Sequence, residues 1–191
     1  METLIFRTKE GATVAIDNLP AIDPQSSAGN HKRQCEKIAA HKVLEKLLNT
    51  KTEIMHDPYG KPFLKDNTLK ISISHSKTKI ALIIHATKNV GIDVENISPK
   101  ILKLASRFLS DKELAQIRQS AENYTIAWAA KEAAFKIAGK AAVDFRKSLE
   151  IEKIEKGDME NKIILKFLED GKVLNFYYKI LNNNVLVWGM D

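Results

Sequence analysis

Two short stretches carry side chains able to do chemistry: Gly91-Ile92-Asp93-Val94-Glu95 and Trp128-Ala129-Ala130-Lys131-Glu132-Ala133-Ala134-Phe135-Lys136. The first reads as a strand, whose alternation sends Asp93 and Glu95 to one face and Ile92 and Val94 to the other. The second reads as a helix, which puts Glu132 and Lys136 on one side with Trp128 one turn earlier. If that helix crosses the strand, three carboxylates converge. Oxygen donors without imidazole or thiolate suit a hard octahedral cation such as Mg²⁺, which keeps waters and completes its shell from a phosphate. The implied chemistry is transfer at a phosphorus centre. Each stretch alone has a plainer reading, as a solvated strand face and as a helical surface ion pair of about 0.2–0.5 kcal/mol.

Two further segments add anion-holding groups. Tyr59-Gly60-Lys61-Pro62 is a turn that displays a lysine, and Ile71-Ser72-Ile73-Ser74-His75-Ser76 leaves a strand with hydroxyl, imidazole and hydroxyl in succession. Both can hold phosphate, the lysine as a point charge and the others as hydrogen-bond donors. The chain has no Gly-x-Ser-x-Gly elbow, Walker loop or dinucleotide glycine fingerprint, so the common hydrolase and nucleotide folds lose support.

The elements that must position these groups follow from periodicity. Strands are predicted at Leu4 to Phe6 and Thr13 to Ile16, then a polar loop with Pro20, Pro24 and Gly29. Helical spacing of Cys35, Ile38, Ala39, Val43, Leu44, Leu47 and Leu48 predicts a helix from His31 to Leu48. After the turn-rich Asp57 to Pro62 come strands Leu69 to Ser74, Lys79 to His85 and Asn89 to Glu95. Ser98-Pro99 marks a joint leading to a helical stretch over Ile101 to Phe108. Ser110 and Glu113 form a capping box, and Gly139 closes a helix from Asn123 to Ile137. Four alternating stretches finish the chain: Leu149 to Ile154, Lys162 to Leu168, Val173 to Leu181 and Val185 to Met190. Helix followed by strands occurs twice, which predicts an α+β fold of two similar α/β halves, 1–98 and 99–191.

Composition bounds the partners. A single cysteine, Cys35, excludes an intrachain disulfide. No apolar run is long enough to span a membrane and the amino terminus lacks a signal pattern, so a cytoplasmic protein without a membrane partner is expected. The net charge of +6 invites an anionic partner. The lysines are scattered, however, and no nucleic-acid fingerprint accompanies them.

The order Gly-Lys-Pro, Ser-His-Ser, Gly-Ile-Asp-Val-Glu and Trp-x-x-Lys-Glu-Ala-x-x-Lys, from about His31 to Phe145, resembles the single-chain, pseudodimeric members of the 4′-phosphopantetheinyl transferase superfamily. The resemblance implies two halves about a pseudo-twofold axis, with coenzyme A in the cleft between them. It implies Mg²⁺ held by Asp93, Glu95 and Glu132, and Lys136 reaching the coenzyme's phosphates. Lys61, Ser74 and His75 would hold the nucleotide end, with Lys131 a lesser candidate for the same cleft. Lys42, in Ala40-His41-Lys42, would face the nucleotide, and Arg33 with Lys32 would lie near its 3′-phosphate. The implied reaction moves the phosphopantetheine arm to a serine of an acyl or peptidyl carrier protein, with Glu132 taking the serine proton directly or through water. A monomer suffices if both halves lie in one chain. Exposed apolar residues in the Ile101 to Ile117 region, Leu104 and Phe108 foremost, are candidates to dock the carrier, and a core role for both is the plainer reading. The rival readings are a non-catalytic module of the same fold and a basic nucleic-acid-binding α+β protein.

Overall fold

The computed structural model describes residues 3–19, 29–139, 144–158 and 160–191. Strands β1 (Leu4–Arg7), β2 (Thr13–Asn18), β5 (Lys70–His75) and β6 (Lys79–His85) form an antiparallel sheet in the order β1-β2-β6-β5. Strands β7 (Val90–Asn96), β8 (Leu149–Glu155), β9 (Asn161–Phe167), β10 (Val173–Leu181) and β11 (Asn184–Met190) form a second, in the order β7-β11-β10-β9-β8. A hairpin of β3 (Ile54–His56) and β4 (Pro62–Leu64) stands apart from both. The sequence pattern reads that region only as a turn, because strands this short carry no measurable alternation.

Helix α1 (Gly29–Leu48) covers the outer face of the first sheet through Ala40, Val43 and Leu44, packed on Ala15, Ile80 and Leu82. The inner face meets the second sheet, with Val14, Ala81 and Ile83 against Ile92, Val94, Leu186 and Trp188. Helix α4 (Ala121–Ala138) covers the far face of the second sheet through Ala127, Ala130, Ala133 and Ala134. The result is a helix–sheet–sheet–helix stack of mixed α/β class. Between β7 and α4 lie a 3₁₀ turn (Pro99–Lys103) and two short helices, α2 (Ala105–Phe108) and α3 (Asp111–Gln116), and α5 (Phe145–Ser148) precedes β8. The Ser110 and Glu113 capping box opens α3, and Gly139 ends α4 in a left-handed conformation with φ 62°. The loop containing Pro20 and Pro24 lies outside the described residues.

Strand β7 precedes residue 98 yet hydrogen-bonds along its length to β11, so it belongs to the second sheet. Its other edge faces β5 without a ladder. There the Ser72 and Ser74 hydroxyls accept the Ile92 and Val94 amides, each at 3.3 Å. Two serines thus satisfy donors that an open edge would leave bare, and they seam the two sheets together. Asn184 extends the seam: its Oδ1 accepts from Ser76 Oγ at 3.2 Å and from Asn96 Nδ2 at 3.0 Å.

Helix α4 lies unusually close to β7. A Cβ added at Gly91 would stand 2.0 Å from the Ala133 carbonyl oxygen, so the contact needs glycine on the strand. We predict that Gly91→Ala lowers stability by about 2–3 kcal/mol, the cost of forcing apart a packed backbone contact. Urea unfolding reads this directly, and an unshifted midpoint would contradict the close approach.

Candidate active site

With α4 held against β7, side chains on the shared face are forced together. Asp93 and Glu95 leave β7 toward the helix, while Ile92 and Val94 enter the inter-sheet core. Lys136, from the last turn of α4, donates to Asp93 Oδ1 and to the Ile92 carbonyl, both at 2.8 Å. Trp128 Nε1 donates to Glu95 Oε1 at 3.0 Å. Trp128 therefore orients an acid, and its ring packs edge-on to Phe108 at 5.1 Å.

The electrostatics register the crowding of acids. Burial, joined by repulsion from Asp93 and Glu95 and opposed by Lys136, pushes the Glu132 carboxyl up to about 7. Burial, joined by the Asp93 charge, raises Glu95 as well, and the Trp128 hydrogen bond and Lys136 offset part of the rise. Three carboxylates beside one ammonium leave the cluster two charges negative when fully ionised. Asp93 Oδ2 is buried and has no hydrogen-bond partner. A bare carboxylate oxygen in such a place is costly unless a cation or donor meets it. Among the described residues no three His, Cys, Asp or Glu side chains form a ready-made metal cage. The donor chemistry and the missing two units of charge nevertheless fit Mg²⁺, with the remaining ligands left to phosphate and water.

Two cavities meet at Glu132, and a third adjoins the second. The largest, about 780 Å³, is lined by Glu95, Trp128 and Glu132 together with Ile101, Leu104 and Phe145, and by Lys77, Lys100 and Arg107. The second, about 260 Å³, shares Glu132 and adds Lys61 and Lys136. The third, about 440 Å³, shares Gly60, Pro62 and Ile73 with the second and is lined by Arg33, Lys37, His41, His56 and His75. The second cavity thus adjoins the first at Glu132 and the third at Gly60, Pro62 and Ile73. Lys61, in the lining of the second, is held by its turn: Asp57 Oδ1 accepts the Lys61 amide at 2.8 Å and Gly60 takes φ 83°. His75 Nε2 lies 3.3 Å from Glu36 Oε2.

Three expectations are corrected. Lys131 does not reach the crevice: it is fully buried, with its ammonium between Glu113 and the carbonyls of Phe108, Phe145 and Leu149. Its burial pulls it below the usual lysine range, against the opposing pull of Glu113. Ser74 does not face the third cavity, because its hydroxyl donates to Asp93 Oδ1 at 2.7 Å and accepts from Val94; it supports an acid. Lys42 lines a separate small recess with Asp17 and Lys46, whereas Lys37 and His41 face the third cavity. Helical phase carries that signal, since 33, 37 and 41 recur every four residues along α1 and 42 falls off their line. Of the expected docking pair, Phe108 is core at 2% exposure and Leu104 is exposed at 39%. Lys32 is exposed and its ammonium lies 3.7 Å from Glu36.

Comparison with known proteins bears on the same segments. Residues 89–186, just over half of the chain, match the family model of the 4′-phosphopantetheinyl transferase superfamily. The chain is 32% identical over 111 residues to the 4′-phosphopantetheinyl transferase gsp of Aneurinibacillus migulanus, covering 54% of this chain and 46% of that protein. It is 32% identical over 88 residues to a 4′-phosphopantetheinyl transferase of Bacillus subtilis, covering 43% and 39% respectively. Each match spans less than half of the relative's length.

The raised Glu132 carboxyl makes a prediction about stability. Because the folded chain holds this proton up to about pH 7 and the unfolded chain only to about 4.5, the stability associated with the proton is lost as pH rises through 7. In divalent-free buffer Glu132→Gln should gain about 1–2 kcal/mol over wild type at pH 8, after discounting for partial solvation, and little at pH 4.5. Urea titrations at both values check it, and an equal gap at both would contradict the assigned cause.

Proposed function

As the chain belongs to the 4′-phosphopantetheinyl transferase superfamily, we propose that it moves the 4′-phosphopantetheine arm of coenzyme A to a serine of an apo acyl or peptidyl carrier protein, releasing adenosine 3′,5′-bisphosphate. The observation that carries this reading is the clustering of Glu132 with Asp93, Glu95 and Lys136, with Glu132 lining both the cavity that holds Glu95 and the one that holds Lys61 and Lys136. Acid and ammonium groups side by side suit a pyrophosphate that arrives with a divalent cation.

Asp93, Glu95 and Glu132 would hold Mg²⁺, which when bound neutralises pyrophosphate charge and orients it for in-line displacement. The chain's own groups do the rest. Lys136 and Lys61 stabilise charge growing on the phosphoryl oxygens as the serine oxygen bonds to the β-phosphorus and the bond to the bisphosphate leaving group breaks. Glu132, which lines both cavities, takes the serine proton directly or through water. His75, Arg33, Lys37 and His41 receive the nucleotide end. Trp128 keeps Glu95 from turning away from the site.

The acceptor enters from the largest cavity. Exposed Leu104 and half-buried Ile101, rimmed by Lys77, Lys100 and Arg107, offer an apolar contact within a basic border that suits an acidic carrier. We read the two helix-covered sheets as the halves of a pseudodimer, 1–98 and 99–191, with β7 crossing to the second sheet. One chain then completes the crevice, and the protein acts as a cytoplasmic monomer on coenzyme A and carrier rather than on nucleic acid. Among the described residues no helix is long and apolar enough to cross a membrane.

Two measurements test the reading. Mixed with apo carrier, coenzyme A and Mg²⁺, the wild-type protein should add one phosphopantetheine mass to the carrier, and Glu132→Gln should slow this by at least about 10²-fold; an unmodified carrier with wild type refutes the activity. Leu104→Gln should raise the KM for carrier several-fold and leave that for coenzyme A unchanged, and an unaltered carrier KM removes Leu104 from the docking surface.

A further inference from the structure

Lys131 and Glu113 are both completely buried, and neither touches the acid cluster. The lysine ammonium lies 2.7 Å from Glu113 Oε1, 2.9 Å from the Phe108 carbonyl, 3.1 Å from that of Phe145 and 2.8 Å from that of Leu149. Glu113 in turn accepts the Ile151 amide at 2.8 Å and the Ser110 amide at 2.7 Å. One ion pair thus ties the end of α2, the start of α3, the start of α5 and the first turn of β8 to the middle of α4.

Two of those tied residues, Phe108 and Phe145, wall the largest cavity. Phe108 and Phe145 flank Trp128, with ring centroids 5.1 Å and 5.5 Å away, and all three rings line that cavity beside Glu132. The groups at the nucleotide end, Lys61, Arg33 and His75, lie in the other two cavities and share no contact with the pair. A buried ion pair gains little stability over apolar side chains of the same volume, and its best-attested use is to fix one arrangement. Three main-chain carbonyls from separate elements need a compact cation with several donors, which lysine supplies and an apolar residue does not.

We propose that the Lys131–Glu113 pair is a positioning device that fixes the aromatic wall of the acceptor-side cavity, and so sets affinity for the carrier protein without setting affinity for coenzyme A. Its binding half rests on the transferase reading; its structural half does not. The pair touches no substrate and acts through Phe108, Phe145 and Trp128.

The test compares wild type with Lys131→Met/Glu113→Gln, which leaves no lone buried charge, and with Glu113→Asp, which keeps both charges and shortens their reach, as the milder change. Three quantities are read: anisotropy of a labelled apo acyl carrier protein, calorimetry of coenzyme A with Mg²⁺, and acrylamide quenching of tryptophan. Of the two tryptophans, Trp188 is 2% exposed, so quenching reports Trp128. The double variant should bind carrier at least tenfold more weakly, bind coenzyme A within twofold of wild type, and roughly double the quenching constant. Affinities that fall together, a carrier affinity that does not change, or failure of both variants to fold would each overturn the proposal, the last by showing a role in the whole fold. If wild type itself binds neither partner, the transferase reading fails, and the quenching comparison alone decides the wall: an unchanged constant overturns it.

Discussion

Everything at the site depends on how near helix α4 comes to strand β7. The approach is a backbone contact, Gly91 against the Ala133 carbonyl, with no side chain between them. Small residues make it possible, since Ala129, Ala130, Ala133 and Ala134 are all fully buried on the sheet-facing side of the helix. At a wider spacing, Lys136 could not reach both Asp93 and the Ile92 carbonyl, nor could Trp128 reach Glu95. Like charges are thereby held closer than they would choose. That strain appears in the Glu132 carboxyl, which is held near neutrality, and in the bare oxygen of Asp93.

The seam between the two sheets does complementary work. The edge of β7 is closed by hydroxyls instead of a further strand, which keeps its carbonyl and carboxylate side open to α4 and the crevice. Ser74 serves both tasks, capping an amide and steadying Asp93. The β3-β4 hairpin brings Lys61 to the cavity that Glu132 and Lys136 line, and α1 brings Arg33, Lys37 and His41 to the next.

Much of this was legible in the sequence because it is local. Period two separated Asp93 and Glu95 from Ile92 and Val94, and the cap chemistry of Ser110, Glu113 and Gly139 marked helix ends that the structure repeats. What escaped the sequence is set by pairing across distance. Nothing local says that β7 joins β11 in preference to β6, or that Ser72 and Ser74 cover a strand edge. A lysine in an amphipathic helix reads as solvent-facing, so Lys131 betrays its burial only once Glu113 and three carbonyls surround it. The resemblance of Ala40-His41-Lys42 points to Lys42, where the phase of α1 selects Lys37 and His41.

The central claim is that Asp93, Glu95 and Glu132 share one divalent ion within the crevice. Anomalous diffraction from crystals grown with Mn²⁺ and coenzyme A tests it most directly. The account requires a single strong peak among those three carboxylates, adjoining the coenzyme's pyrophosphate. A peak elsewhere, or coenzyme bound with no metal beside Asp93, would contradict it.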